Sequence, residues 1–168
     1  MREVFVELYR HHLWANQTLF ETCESLEDAA LDAAAEGTYG TIRDTLVHML
    51  AAESRYLAGM TGEAALPDAP KEGAFPGTPE LKRHATSQGE RLLALAERVT
   101  DNEIITVERG GRTFEIPLSI FFAQAINHGT EHRAHVCTAL TQAGVEPPNL
   151  DVWQYLRNEM NRQAGGGR

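Results

Sequence analysis

The chain has 168 residues, 42% of them hydrophobic and 23% charged, which is one domain's length with an ordinary globular balance. Fifteen Lys and Arg against 24 Asp and Glu leave a formal charge of -9, which repels phosphate backbones and anionic membrane surfaces, so neither nucleic acid nor a membrane is an expected partner. Two cysteines, Cys23 and Cys137, form no CxxC pair, and no run approaches the ~18 apolar residues of a membrane span; the expectation is a reduced, cytoplasmic protein without a disulfide framework or thiolate zinc site.

At about 100° per residue, Val4, Phe5, Leu8, His12, Ala15, Leu19 and Cys23 share a stripe, the spacing of a core-facing first helix. A second helix opens at Thr41, which can cap with Asp44 three residues on. It buries Ile42, Leu46, Met49, Leu50, Leu57 and Met60 and stops near Gly62. The glycine- and proline-rich stretch 62–77 reads as a long surface crossover. A third helix starts at Thr78-Pro79-Glu80, with Thr78 as cap and proline at the first helical position. IITVERGGRTFEIP alternates around Gly110-Gly111, which predicts a short exposed hairpin with a two-residue turn. The fourth helix runs from about 119 to 143, with Gly144 as left-handed terminator and Pro147-Pro148 beyond. A fifth, short helix from about 149 is expected to lay Trp153, Leu156 and Met160 on the bundle, leaving a frayed tail at 164–168. The expected fold is all-α: residues 1–163 as a single four-helix bundle with one long crossover.

The fourth helix carries His128-Gly-Thr-Glu-His132-Arg-Ala-His135. Spacings of four and seven place these imidazoles at about 0°, 40° and -20° around the axis, on one face. His128 and His132 stand one turn apart, the separation at which two imidazoles grip one metal ion. Gly129 follows His128, so the HExxH motif of zinc proteases is absent. Phe121, Ala125, Val136 and Ala139 lie near the same direction, so the stripe borders the core, where burial favours the neutral, ligating form of histidine. The alternative is a set of core-edge histidines satisfied by hydrogen bonds. A third ligand has to come from another helix, and His48 sits at the edge of the second helix's apolar stripe. Glu53 falls near the middle of that stripe, where a carboxylate must be paired or bound: a salt bridge to Arg133, or a partner of a ligating imidazole and proton carrier.

YRHHLWANQTLF, TIRDTLVHMLAAESRYL, the glycine-turned hairpin, INHGTEHRAHV and GVEPPNLDVWQYL together resemble the DinB/YfiT-like family over essentially the whole chain. That resemblance implies an up-down-down-up bundle, a homodimer, and a divalent metal on His48, His128 and His132. Zinc or nickel heads the expected metals, with manganese, iron or cobalt as alternatives. Glu131 and His135 stand where relatives often have an aromatic residue and Gln, and His135 is expected to contact substrate or a ligand instead of the metal. Three activities follow from the resemblance. A low-molecular-weight thiol bound at the metal is transferred to an electrophile, with Arg55 and Arg133 holding an anionic thiol; metal-activated water hydrolyses an amide or ester, with Glu53 or Glu131 as base; or the bundle binds metal or a partner without catalysis.

Overall fold

The structure is a computed structural model that describes residues 2–63, 69–100 and 103–165. The helices α1 (Arg2–Glu24), α2 (Ile42–Thr61), α3 (Thr78–Arg98), α4 (Leu118–Gln142) and α5 (Val152–Gly165) are joined by a short 3-10 helix (Asp28–Asp32) and by the strands β1 (Ile104–Arg109) and β2 (Arg112–Pro117). Among the described residues no helix is long and apolar enough to cross a membrane.

Contacts along the helices give their directions. Lys82 reaches Glu21 and Glu24, Gln17 meets Thr86, and Arg10 meets Glu97, so α3 runs antiparallel to α1. Tyr9 donates to the Phe122 carbonyl at 2.8 Å, while Arg133 bonds Asn16, so α4 runs parallel to α1. Rings of Tyr56 and His128, and of His48 and His132, set α2 antiparallel to α4. The course is up-down-down-up, as the resemblance implies.

Local chemistry explains the ends. Thr41 Oγ1 accepts the Asp44 amide at 3.1 Å and starts α2. Gly110 (φ 58°) and Gly111 (φ 71°) make the left-handed pair that a tight two-residue turn demands, and the ladder pairs Arg109 with Arg112 directly across it. At the end of α4 the Val145 amide returns to the Leu140 carbonyl at 2.9 Å, with Gly144 left-handed, as expected. Thr78 does not cap α3. It is the first helical residue and is buried, and Gly77 with φ 98° precedes it without a side-chain bond. The last helix starts later than expected because Asp151 Oδ1 accepts the Gln154 amide at 2.6 Å, and it continues through Gly165 into the stretch expected as tail; residues 166–168 lie outside the described residues, as do 64–68 of the crossover.

Two further expectations fail. Val4 and Leu8 are exposed, whereas His12, Ala15, Leu19 and Cys23 of the same stripe are buried as expected; the buried face of α1 also takes in Val6, Tyr9, Asn16 and Phe20. Trp153 (70% exposed), Leu156 and Met160 (61%) point away from the bundle, and Tyr155 alone anchors α5, packing on His11 and Trp14. The core falls into two apolar clusters. One gathers Leu19, Phe20, Ile42, Leu46, Leu81 and Leu140; the other gathers Tyr9, Leu57, Leu92, Leu118 and Phe122. On α1 and α2 the segments between them carry small buried residues, Ala15, Ala51, Ala52 and Ser54, together with the larger buried polar side chains His12, Asn16 and Glu53.

Candidate metal centre

His48 is placed by α2 and His128 and His132 by α4, and one ring nitrogen from each lies within 4.8 Å of the others, the group among the described residues that can hold a metal ion. His128 Nε2 and His48 Nε2 are 3.2 Å apart. Two nitrogens bound to one tetrahedral ion at ~2.1 Å stand about 3.4 Å apart, so His48 and His128 already have the separation a divalent cation needs, and the group as a whole closes from within 4.8 Å.

The Nδ1 atoms of His48 and His132 are already engaged. His48 Nδ1 faces Glu72 Oε1 at 3.3 Å, which fixes its proton on Nδ1 and frees Nε2. His132 Nδ1 faces His135 Nδ1 at 3.3 Å, so one of these two rings donates to the other. Tyr39 stacks on His48 with ring centroids 4.0 Å apart and meets His132 edge-on, and Tyr56 meets His128 edge-on while its hydroxyl accepts from Gln124. Burial, reinforced by His132, His48 and Arg55, pushes His128 down to about 4, and burial with His48 and His135 lowers His132 as well. Both are therefore neutral at pH 7, the form that ligates.

This has a measurable consequence for the metal-free protein. The unfolded imidazole of His128 titrates near 6.5 and the folded one near 4, so between these values the unfolded chain binds more protons. Stability should fall as pH drops from about 6.5 to 4, with His132 contributing in the same direction. Urea melts at pH 7 and pH 5 check this, and equal midpoints with His128→Gln and wild type responding alike to pH would contradict it.

Glu72, Tyr39 and Tyr56 carried no role in the sequence reading. Tyr39 sits in a loop between Gly37 and Gly40, and Glu72 comes from the irregular crossover, so neither belongs to a periodic pattern. Tyr39 and Glu72, together with Asp44, His48 and Gly73, border a recess of about 230 Å³ on the His48 side of the cluster, to which Tyr56 does not contribute.

Glu53 and Arg133 are placed elsewhere. Glu53 (3% exposed) and Arg133 (4%) lie inside the bundle, and their hydrogen bonds run to α1 and to Thr130. Arg133 Nη1 donates to Asn16 Oδ1 at 2.8 Å and to His12 Nδ1 at 3.1 Å. Glu53 Oε2 receives His12 Nε2 at 3.3 Å and Asn16 Nδ2 at 3.4 Å. His12 and Asn16 are thus parallel bridges between a guanidinium and a carboxylate, and the proton of His12 sits on Nε2. Burial lowers Arg133 to about 10 against the opposing charge of Glu53. This is the paired reading of Glu53, with the pairing indirect. Gly129 makes the arrangement sterically possible: a Cβ there would stand 2.5 Å from His12 Cε1 and 3.0 Å from Arg133 Nη1. Arg55 is exposed and donates to Glu72 Oε1 at 3.2 Å, so its charge is committed to that carboxylate. Glu131 is exposed on α4 beside His132, whose charged form it favours.

The sequence pattern of the DinB family matches residues 1–164. Protein DinB of Bacillus subtilis (strain 168) is 23% identical over 164 residues, covering 93% of this chain and 95% of its own. The crystal structure of a DinB-like protein from Bacillus cereus ATCC 10987 shares the fold with a TM-score of 0.69 at 22% identity, over 88% of this chain and 95% of that one.

Proposed function

The chain belongs to the DinB family, and from that premise we propose that it is a divalent-metal-dependent transferase that joins a small thiol to an electrophile at His48, His128 and His132. The observation that carries the reading is the meeting of three imidazole nitrogens from two antiparallel helices within 4.8 Å, beside a recess. When bound, the cation supplies an open coordination position and acidifies the thiol that fills it. Glu72 and His135 hold the rings of His48 and His132 in the orientation that aims Nε2 at the cation. Tyr39 covers one side of His48 and limits water.

The charges choose among thiols. Arg55 is tied to Glu72 and Arg133 is in the core, so neither is available to an anionic thiol as first expected. Glu72 is the partner of Arg55, which leaves the carboxylate of Asp44 on the border of the recess, and that suits a thiol that carries an ammonium group. The second reading, hydrolysis by metal-activated water, retains Glu131 as its base, since Glu53 reaches no ligand imidazole; a non-catalytic metal-binding bundle is the third.

Protein loaded with cobalt decides the matter. Addition of cysteamine, which carries thiol and ammonium, should release a proton and give a sulfur-to-cobalt absorption band, and N-acetylated or carboxylated thiols should bind at least ~10-fold more weakly. If no thiol alters the spectrum and an ester or amide is cleaved instead, hydrolysis replaces transfer; if neither occurs, the bundle is a binding protein.

We extend the proposal to a homodimer. Val152, Trp153, Leu156 and Met160 form an exposed apolar stripe on α5 of the kind that a second copy covers. Sedimentation at micromolar concentration should show about twice the 18.6 kDa chain mass, and a purely monomeric boundary would refute the assembly.

A further inference from the structure

We propose that the buried network of His12, Asn16, Glu53 and Arg133 sets the axial register of α2 against α4, and thereby the spacing of His48 from His128 and His132; the proposal rests on the metal-centre reading for its purpose but not for its geometry. Glu53 lies five residues beyond His48 on α2, about 7.5 Å along the axis, and Arg133 directly follows His132 on α4. The charged residues and the ligands are therefore carried by the same rigid stretches of helix. The network also sits at the height of the site, because the missing Cβ of Gly129, which adjoins His128, faces both His12 and Arg133.

Apolar packing alone specifies such a register weakly. Leu57, Met60, Leu46 and Met49 offer non-directional contacts that survive a small slide of one helix past another. Hydrogen bonds do not survive it, and a buried polar residue is the best-attested device for fixing helix register. Here both bridges come from α1: Asn16 and His12 each touch Arg133 on one side and Glu53 on the other. A slide of α2 by one residue, about 1.5 Å, would break contacts of 3.3 and 3.4 Å at Glu53 and would move His48 Nε2 away from His128 Nε2, now at 3.2 Å. All four members are thus positioning residues, acting on the ligands through the helices that carry them.

The test separates register from stability. Replacing the charges together by apolar residues of similar size, Glu53→Leu with Arg133→Met, removes the directional bonds without leaving a lone buried charge, so the helical fold should persist, with a lowered melting temperature because His12 and Asn16 lose their partners. Asn16→Leu cuts one bridge only. In both variants cobalt should bind about tenfold more weakly, with altered ligand-field bands, although helix content is retained. In the metal-free proteins the nuclear Overhauser contacts between the His48 ring and those of His128 and His132, whose centroids lie 5.1 and 4.8 Å away, should weaken or vanish. Wild-type cobalt affinity, spectrum and ring contacts in the apolar pair would overturn the proposal, as would a loss of stability in Asn16→Leu with the ring contacts unchanged. If wild-type protein itself takes up no cobalt, the metal-centre reading fails, and the ring contacts still decide whether the network sets the register.

Discussion

His48→Ala, His128→Ala and His132→Ala should each abolish stoichiometric binding of a divalent cation while leaving the helical fold intact. Loss of a hydrogen-bond partner outside the ligand set already costs about 10–100-fold in metal affinity, so loss of one of three ligands costs more. The fold does not depend on these side chains: the two apolar clusters are built from α1, α2, α3 and α4 without them. His128 gives the clearest result, because its nitrogen lies against that of His48 and its pKa, near 4, leaves no proton to be displaced at neutral pH. Elemental analysis of protein purified without a metal-affinity step, together with circular dichroism, reads both halves of the expectation. A variant that keeps a full equivalent of metal is not missing a ligand. His135→Gln serves as the contrast and should keep the metal, since its Nδ1 faces His132 and not the gap between the three nitrogens.

Arg133→Met should destabilise the protein by about 3–5 kcal/mol, the usual cost of removing one partner from a buried ion pair. The methionine preserves most of the side chain's packing but leaves the Glu53 carboxylate in the core with only the Nε2 of His12 and the amide of Asn16. Its Oε1 has no hydrogen-bond partner among the described residues, so the charge of Arg133 is the main compensation that the carboxylate has. For a chain of this length the melting temperature should fall by roughly 6–20 °C. A fall of under about 1 kcal/mol would mean that water reaches the carboxylate, and that the pair is not the tie between helices described above.

The three-histidine site and the network behind it differ in how they are written in the chain. HxxxH at 128–132 is a spacing within one helix, and helical geometry turns it into a shared face whatever surrounds it. Thr41 with Asp44, Gly110-Gly111 and Gly144 act within a few residues of themselves, so the second helix's start, the hairpin and the end of α4 could be read without tertiary knowledge. His48 needed more, and only its place at the edge of an apolar stripe, together with the family resemblance, singled it out.

What tertiary structure alone decided are the contacts between segments that nothing local ties together. Glu72 meets His48 across 24 residues of chain, and Tyr39 reaches it from a loop that has no period. The first turns of α1 depart from the expected phase because two stripes compete there: Val4 and Leu8 are as apolar as Val6 and Tyr9, and the true core face also contains Asn16, which a hydrophobic count reads as surface. The same count drew Trp153, Leu156 and Met160 inward, although α5 lies on the outside of a bundle already filled by four helices and needs only Tyr155 to hold it. Periodicity and caps are short-range quantities, set by neighbours along the chain, and they determined the helices, the hairpin and the histidine pair. Which face of each helix turns inward, and which distant carboxylate meets which imidazole, depends on how the helices fill space against one another and satisfy buried charge, and that was decided only in the folded bundle.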